Sequence, residues 1–272
     1  MKPRTRIDLR EGHIVVAPVE DADLRVFLFP HAGGSAMSLL PLASELPAGT
    51  EALLFELPGR GARAREPRPA TFDEACQGLV DHVQPLLDRP AILFGHSLGG
   101  LLCDGLVRRL PPEQRKWLTK VIVSSAPSPL RATAAACETG WPPTRRSRAD
   151  LLARLIAHGG TPAEVFDDEA LLEGVLEAFG DDMLLMDSYV LDPALSVCHA
   201  DYELWTGRHD GSAAADLPEA WADVLARPLG ERVFPGGHFY LTDRPEARAA
   251  LRAIVRAQLR RDSSAQGQEA VE

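Results

Sequence analysis

Several features that define membrane, secreted or metal-binding proteins are missing from this sequence of 272 residues. No apolar run approaches the roughly 18 residues that a membrane-spanning helix needs, which argues against a transmembrane protein. Residues 1–8 are partly basic, but no apolar segment follows them, so we predict no secretory signal. The few cysteines lack the spacing of a zinc site, which predicts reduced thiols in a cytoplasmic protein with neither metal nor cofactor. These cysteines are Cys76, Cys103, Cys137 and Cys198.

Positive charge is also scarce in the sequence. Lys and Arg number 29 against 39 Asp and Glu, so the formal net charge is −10. This acidic balance argues against nucleic acid or an anionic membrane as a partner. Basic residues cluster at Arg60, Arg63 and Arg65 and again at residues 145–148. These clusters leave open a contact with an acidic protein, although we interpret them as solvated loops.

Apolar runs that are typical of strands alternate with helical patterns along most of the chain. This alternation predicts an α/β fold, in which a mostly parallel central sheet is flanked by helices. We expect a single domain over residues 1–260 and a disordered tail over residues 261–272, where the sequence becomes polar and small. Predicted strands cover residues 24–29, 51–57, 90–94, 121–125, 202–206 and 232–234, and predicted helices cover residues 35–46, 72–86, 101–107 and the segment from residue 245 onward.

The alternation stops between about residues 127 and 192. Helical patterns at residues 149–157, 170–179 and 181–190 follow one another there without a strand. Because this insertion lies between a candidate nucleophile and the other candidate catalytic groups, we predict a helical lid over the site. The alternative is one more layer of packed helices.

A Gly-x-Ser-x-Gly segment, Gly95-His96-Ser97-Leu98-Gly99, stands between a predicted buried strand and a predicted helix. In this context it is typical of a nucleophile elbow, a tight turn that lifts a serine hydroxyl above the sheet. The backbone N–H of Leu98 would then lie at a helix N-terminus, where the helix dipole favours an oxyanion. We therefore predict Ser97 as a nucleophile and the Leu98 N–H as an oxyanion donor.

A serine nucleophile needs a base to take its proton and an acid to orient that base. Asp210 and His238 are the predicted acid and base, because each directly follows a predicted strand in a glycine-bearing turn. They also follow Ser97 in the chain order Ser, Asp, His that such folds use. Asp201 is a weaker candidate for the acid because it precedes its strand, and His209 would leave Asp210 without a role.

The second oxyanion donor is predicted in the loop that follows the strand at residues 24–29. This loop contains His31, Ala32, Gly33 and Gly34, and its small residues let backbone amides approach a substrate carbonyl closely. We predict the Ala32 N–H as the donor, with Gly33 as the alternative. His31 is expected to shape the loop rather than to act as a base.

The chain resembles the type II thioesterases that accompany modular polyketide synthases and non-ribosomal peptide synthetases, from about residue 25 to about residue 259. The resemblance rests on several segments in order, none of them decisive alone. They are Phe29-Pro30-His31-Ala32-Gly33-Gly34-Ser35, Leu57-Pro58-Gly59-Arg60, Phe94-Gly95-His96-Ser97-Leu98-Gly99-Gly100, Gly160-Thr161-Pro162 and Phe234-Pro235-Gly236-Gly237-His238-Phe239.

The resemblance implies an α/β-hydrolase fold with a mobile helical lid and a triad of Ser97, His238 and Asp210. It implies a monomer whose substrate is a thioester on the phosphopantetheine arm of an acyl or peptidyl carrier protein. Members of the family remove stalled or aberrant acyl groups from carriers, and some also accept acyl-CoA. Apolar residues of the insertion become candidates to line an acyl pocket: Leu152, Leu155, Phe166, Leu185 and Met186.

Other functions stay open at this point. Capture of the acyl-serine by an amine or alcohol would make a trans-acting acyltransferase or cyclase, and a general carboxylesterase would use the same triad. A carrier-binding protein with an inactive hydrolase fold is disfavoured by the intact Ser97, Asp210 and His238. The sequence departs from the family pattern at Gly211, where proline commonly follows the acid, and at Leu98, where methionine is frequent.

Overall fold

The computed structural model describes residues 7–269 apart from residues 11, 17, 20, 196–197 and 213–215. Its strands are β1 (Ile7–Arg10), β2 (His13–Val16), β3 (Leu24–Phe29), β4 (Thr50–Phe55), β5 (Ala91–His96), β6 (Leu118–Ser124), β7 (Tyr202–Gly207) and β8 (Gly230–Phe234). Within the described residues these strands form one sheet in the order β1-β2-β4-β3-β5-β6-β7-β8. The β1–β2 and β2–β4 pairs are antiparallel, and the other pairs are parallel.

Helices connect the strands and cover the sheet. They are α1 (Leu40–Ala43), α2 (Phe72–Val83), α3 (Leu98–Arg109), α4 (Pro112–Arg115), α5 (Pro129–Thr139), α6 (Arg148–His158), α7 (Ala163–Asp167), α8 (Glu169–Asp187), α9 (Leu217–Ala222), α10 (Tyr240–Asp243) and α11 (Pro245–Glu269). Short 3-10 turns cover Ala36–Leu39, Gly61–Arg63, Gln84–Leu86 and Pro193–Leu195. No helix in the described part of the chain is long and apolar enough to cross a membrane.

The core lies on both faces of the sheet, as the period-two pattern of a strand requires. In β3, Phe27 and Phe29 belong to the apolar cluster that includes α2 and α3. Val26 and Leu28 belong to the opposite cluster, which includes Leu251 of α11. Covering both faces explains why the central strands are almost continuously apolar.

Parallel pairing brings the carboxyl ends of the central strands to one edge of the sheet. His96 pairs with Ser124 where β5 and β6 end, and Gly207 pairs with Phe234 where β7 and β8 end. The last residue of β3 lies opposite Gly95. The loops that follow these strands therefore meet at one edge, which is where parallel α/β sheets bind ligands.

The segment between β6 and β7 contains no strand among its described residues, as predicted, and its helices differ from the prediction in two ways. Residues 129–139, for which we predicted no helix, form α5, because Ser128 caps the helix and proline is favoured in a first turn. The two helices expected at 170–179 and 181–190 are the single helix α8. Position 180, inside α8, is a glycine because a Cβ there would stand 2.8 Å from the side chain of Leu151 of α6.

Three further differences concern the remaining elements. The sequence did not predict β1 and β2, which are four-residue strands at the edge of the sheet. The helix expected at 35–46 divides at Leu39, whose φ of −98° and ψ of 1° lie outside helical geometry, into a 3-10 turn and α1, which has Pro41 in its first turn. The tail expected to be disordered from residue 261 is helical to Glu269, since α11 continues through residues that contain no proline. Residues 270–272 lie outside the described residues.

Candidate active site

Ser97 stands at the junction of β5 and α3, where the sequence predicts a nucleophile elbow. Its backbone has φ 56° and ψ −118°, a conformation that residues with a side chain rarely adopt. The Ser97 N–H donates to Ser124 O at 2.7 Å, which ties the turn to the neighbouring strand β6. Such localised strain is typical of a functional turn held in place by its surroundings.

The two glycines of the elbow are required by close backbone contacts. A Cβ on Gly95 would lie 2.0 Å from Gly99 O, and a Cβ on Gly99 would lie 2.2 Å from Phe29 O. The helix therefore starts directly against the ends of β3 and β5. This packing directs the N-terminus of α3 toward the carboxyl edge of the sheet.

Asp210 and His238 are brought together as the sequence predicts. His238 Nδ1 and Asp210 Oδ2 are 3.0 Å apart, and both residues are buried. Ser212, which the sequence analysis did not identify, donates to Asp210 Oδ1 from its N–H at 3.0 Å and from its Oγ at 2.6 Å. Its Oγ also lies 3.0 Å from His238 Nδ1. A serine two residues after the acid is the sequence signal that could have suggested this contact.

The charge of Asp210 follows from these contacts. Burial is the largest influence on the pKa of Asp210, and alone it would raise that pKa. The hydrogen bond and charge of His238, with the hydrogen bonds from serine hydroxyls that include Ser212, outweigh burial and hold the pKa of Asp210 well below its ordinary value. The carboxylate is therefore ionised at neutral pH.

Ser97 and His238 line one cavity of about 580 Å³. Asp210 is not among the lining residues, which is the position expected of an acid that orients the base from behind. The Ser97 hydroxyl makes no hydrogen bond to any described residue. Catalytic hydrogen bonds commonly tighten only when substrate is bound.

The candidate oxyanion donors can be sorted by the partners of their N–H groups. Gly33 N–H donates to Asp182 Oδ2 at 2.7 Å, and Gly34 N–H donates to His31 O at 3.0 Å. The N–H groups of Ala32 and Leu98 have no such partner among the described residues. The N–H of Gly33, the predicted alternative, is therefore already engaged by Asp182. The N–H of Ala32 stays the candidate donor beside that of Leu98.

Three histidines surround His238, and burial lowers the pKa of each. The ring of His96 lies 4.9 Å from that of His238, and its Nδ1 is 3.0 Å from Ser124 Oγ. Its pKa is well below the ordinary value, and the pKa of His31 falls to about 4. The sequence analysis gave no role to His158 of α6, yet its ring lies 4.9 Å from that of His238, and burial lowers its pKa as well. The lowered pKa values keep these neighbours of His238 uncharged at neutral pH.

The weaker candidates lie away from this arrangement. Asp201 precedes β7 and pairs with Lys120 at 3.0 Å, at the amino end of the strand and so opposite the Ser97 edge. His209 is exposed beside Asp210. Among the described residues, no group of three or more His, Cys, Asp or Glu side chains is placed to hold a metal ion.

The insertion supplies much of the cavity wall. Of the apolar residues proposed to line it, Leu155 and Met186 do so. Leu152 packs within the insertion, Leu185 is buried in the main core, and Phe166 is 37% exposed. Lining residues that the sequence analysis did not name include Ala132, Ala135, Val165, Val175, Phe179 and Met183.

Arg60 corrects our interpretation of the basic cluster at 60–65 as a solvated loop. Its side chain is 13% exposed and forms an ion pair with Asp182 of α8. Arg63 instead pairs locally with Glu66. The difference arises because Asp182 is distant in sequence, so local composition does not reveal the partner of Arg60.

Comparisons with known proteins bear on the family and the fold of the chain. A family model described as the thioesterase domain matches residues 24–257. A probable cadicidin biosynthesis thioesterase of Streptomyces griseus is 29% identical over 265 residues, which cover 90% of this chain and 70% of that protein. The α/β-hydrolase fold is confirmed, because the peroxisomal alpha-beta-hydrolase Lpx1 of Saccharomyces cerevisiae shares it at 11% identity and a TM-score of 0.63, over 91% of this chain and 82% of that one.

Two solved structures of type II thioesterases are also similar. BorB, from the borrelidin biosynthetic cluster, is 29% identical with a TM-score of 0.73, over 89% of this chain and 95% of that one. YbtT, from the yersiniabactin NRPS/PKS biosynthetic pathway, is 26% identical with a TM-score of 0.70, over 88% of this chain and 94% of that one.

Proposed function

Because this chain belongs to the thioesterase family and is a type II thioesterase that acts on thioesters, we propose that its substrates are acyl groups on the phosphopantetheine arm of acyl or peptidyl carrier proteins. It removes stalled or aberrant acyl units and returns the carrier to its free thiol, and acyl-CoA is a secondary substrate. The proposal is supported by relatives such as YbtT, which belongs to an NRPS/PKS biosynthetic pathway.

The proposed reaction proceeds in two steps through an acyl-serine. His238 takes the proton of Ser97, whose Oγ attacks the thioester carbonyl, and the C–S bond breaks as the pantetheine thiol receives a proton from His238. A water that gives its proton to His238 then attacks the acyl-serine, and the carboxylic acid leaves as Ser97 regains its proton. The N–H groups of Leu98 and Ala32 stabilise the oxyanion in both steps.

The observation that carries this mechanism is the buried contact between His238 Nδ1 and Asp210 Oδ2, at 3.0 Å, behind the cavity that Ser97 and His238 share. An ionised Asp210 can only accept the hydrogen bond that it shares with Nδ1, so it favours the tautomer of His238 whose Nε2 is free to accept. This is the protonation state that a general base for Ser97 requires.

We also propose that the helices between β6 and β7 act as a lid. Residues of α5, α6, α7 and α8 line the Ser97 cavity. A thioester on a carrier arm must pass between these helices and the sheet edge, so their opening would control the entry of both substrate and water.

Intact-mass analysis of an acyl-loaded carrier protein tests the proposed function. We expect the wild-type protein to return the carrier to its free-thiol mass with release of free acid. We expect Ser97→Ala to leave the carrier acylated, because the variant lacks the nucleophile while keeping the same fold.

The other outcomes of this experiment distinguish the competing functions. Transfer of the acyl group to an added amine or alcohol, without free acid, would identify an acyltransferase or cyclase. An untouched carrier together with cleavage of simple esters would identify a general carboxylesterase and would contradict the carrier-directed function.

The proposal extends to the setting of the protein. Its cysteines are free in the described part of the chain, and Cys76, Cys103 and Cys198 are buried, which supports a reducing compartment such as the cytoplasm. We propose a monomer whose macromolecular partner is the carrier protein.

A further inference from the structure

The carboxylate of Asp182, on the lid helix α8, is bonded to the loop that carries the candidate oxyanion donor. The Asp182 side chain is only 3% exposed. Its Oδ2 accepts the Gly33 N–H at 2.7 Å, although the two residues are 149 positions apart in the chain. This contact joins the insertion directly to the loop of residues 31–34.

Arg60 completes the contact from a second loop, which follows β4. Its Nη1 donates to Asp182 Oδ2 at 2.6 Å and to Gly34 O at 3.2 Å, and its Nη2 donates to Asp182 Oδ1. The carboxylate and the guanidinium together therefore hold the N–H of Gly33 and the carbonyl of Gly34. Two consecutive residues of the loop are fixed by one buried ion pair.

The packing around these bonds leaves the loop little freedom. Gly33 has φ +73°, and a Cβ on it would lie 3.1 Å from the Cβ of Phe179, which is three residues before Asp182 on α8. Gly34 N–H closes the turn on His31 O at 3.0 Å. In the described structure, the bonds of this loop occupy the N–H groups of Gly33 and Gly34 and leave that of Ala32 available to a ligand.

Stability alone does not account for an ion pair at this place. A buried pair gives little net stability compared with apolar residues of similar size, because both charges lose their hydration. Charge-assisted and bidentate bonds do, however, fix the relative geometry of the groups they join. The group whose geometry is fixed here is a loop that faces the Ser97 cavity.

We infer that Asp182, held by Arg60, is a positioning residue for the oxyanion site: it fixes residues 31–34 so that the Ala32 N–H faces the carbonyl under attack. The inference rests on the proposed function, because it needs Ser97 to form an oxyanion. Asp182 touches no reacting atom, so its effect reaches the reaction only through the loop.

Steady-state kinetics with a small synthetic thioester test this inference. We expect Asp182→Ala to lower kcat about 10- to 100-fold with KM unchanged, since an oxyanion donor acts on the transition state rather than on bound substrate. Asp182→Asn keeps an acceptor for the Gly33 N–H, so we expect it to recover part of kcat. The matched control is Asp181→Ala on the same helix, which removes the ion pairs with Arg145 and Arg68 but no bond to the loop.

Binding of a trifluoromethyl ketone separates positioning from a structural effect. Its adduct with Ser97 carries an oxyanion, so we expect Asp182→Ala to weaken its binding while leaving an unreactive amide analogue of the thioester bound as before. Thermal unfolding midpoints establish that each variant is folded at the assay temperature. The inference is overturned if kcat of Asp182→Ala is no lower than that of Asp181→Ala, or if both inhibitors weaken equally.

The proposed function and this inference fail in distinguishable ways. A wild-type protein that leaves acyl carriers untouched but cleaves the synthetic thioester overturns the carrier-directed function. In that case the ratio of kcat between Asp182→Ala and the wild type still tests the role of Asp182. A wild-type protein that deacylates carriers beside an unimpaired Asp182→Ala variant overturns the inference alone.

Discussion

The tautomer of His238 is set by the hydrogen bonds that Asp210 accepts. From described residues this carboxylate accepts from His238 Nδ1 and from the N–H and the hydroxyl of Ser212. An ionised carboxylate has no proton to donate, so the proton in the first of these bonds belongs to Nδ1. In the neutral imidazole of His238 the proton therefore belongs to Nδ1, and Nε2 is the nitrogen that can accept a hydrogen bond.

Replacing Asp210 by asparagine tests this assignment. The asparagine amide donates to Nδ1 and would stabilise the opposite tautomer, in which Nε2 carries the proton and is unable to accept that of Ser97. We expect Asp210→Asn to lower kcat for a thioester by about 10⁴-fold. Steady-state kinetics on purified variants measure the effect.

The matched control is Asp201→Asn, at the opposite end of β7. Asp201 pairs with Lys120 and takes no part in the site, so kcat should stay at the wild-type value. Equal activity of the Asp210→Asn and Asp201→Asn variants would contradict the role of Asp210.

At the scale of elements, the sequence predicts best what is encoded locally. The strand-turn-helix around Ser97 and the start of α2, where Thr71 Oγ1 accepts the Glu74 N–H, follow from a few adjacent residues. Our prediction of two helices in place of α8 was wrong, because Gly180 is explained by the close approach of Leu151 from another helix, which the local sequence does not show. Strands β1 and β2 were missed because four residues are too few to show a hydrophobic period.

The contact between β3, β5 and α3 gives a prediction about stability. Gly99→Ala would bring a Cβ against the carbonyl of Phe29, with no flexible side chain to move aside. We expect it to lower the free energy of unfolding by about 3 kcal/mol. Chemical denaturation monitored by circular dichroism measures this change.

Gly78→Ala is the control for that substitution. Gly78 lies inside α2, and a Cβ there would meet no atom within 4 Å. Because alanine favours helix more than glycine does, we expect Gly78→Ala to raise the free energy of unfolding by about 0.5–1 kcal/mol. An unfolding free energy for Gly99→Ala that equals the wild-type value would show that α3 does not need to approach Phe29 so closely.

At the scale of the whole molecule, the site is assembled from segments that are far apart in the chain. The parallel sheet brings together the loops that follow β3, β5, β7 and β8, and residues of the insertion line the cavity at that edge. The fold class and the placement of Ser97, Asp210 and His238 at one sheet edge were predictable, because each residue stands beside its own strand. The contacts of Ser212, His158 and Asp182 were not predictable, because they depend on how distant segments pack.

The central claim is that Ser97 carries an acyl group taken from a carrier protein. The most direct measurement is the intact mass of this protein, quenched within one turnover of mixing with an acyl-loaded carrier, followed by peptide mapping. We predict an added mass equal to the acyl group on the peptide that contains Ser97, and its disappearance as free acid forms. Release of the acid without any adduct on Ser97, or an adduct on another residue, would contradict the account.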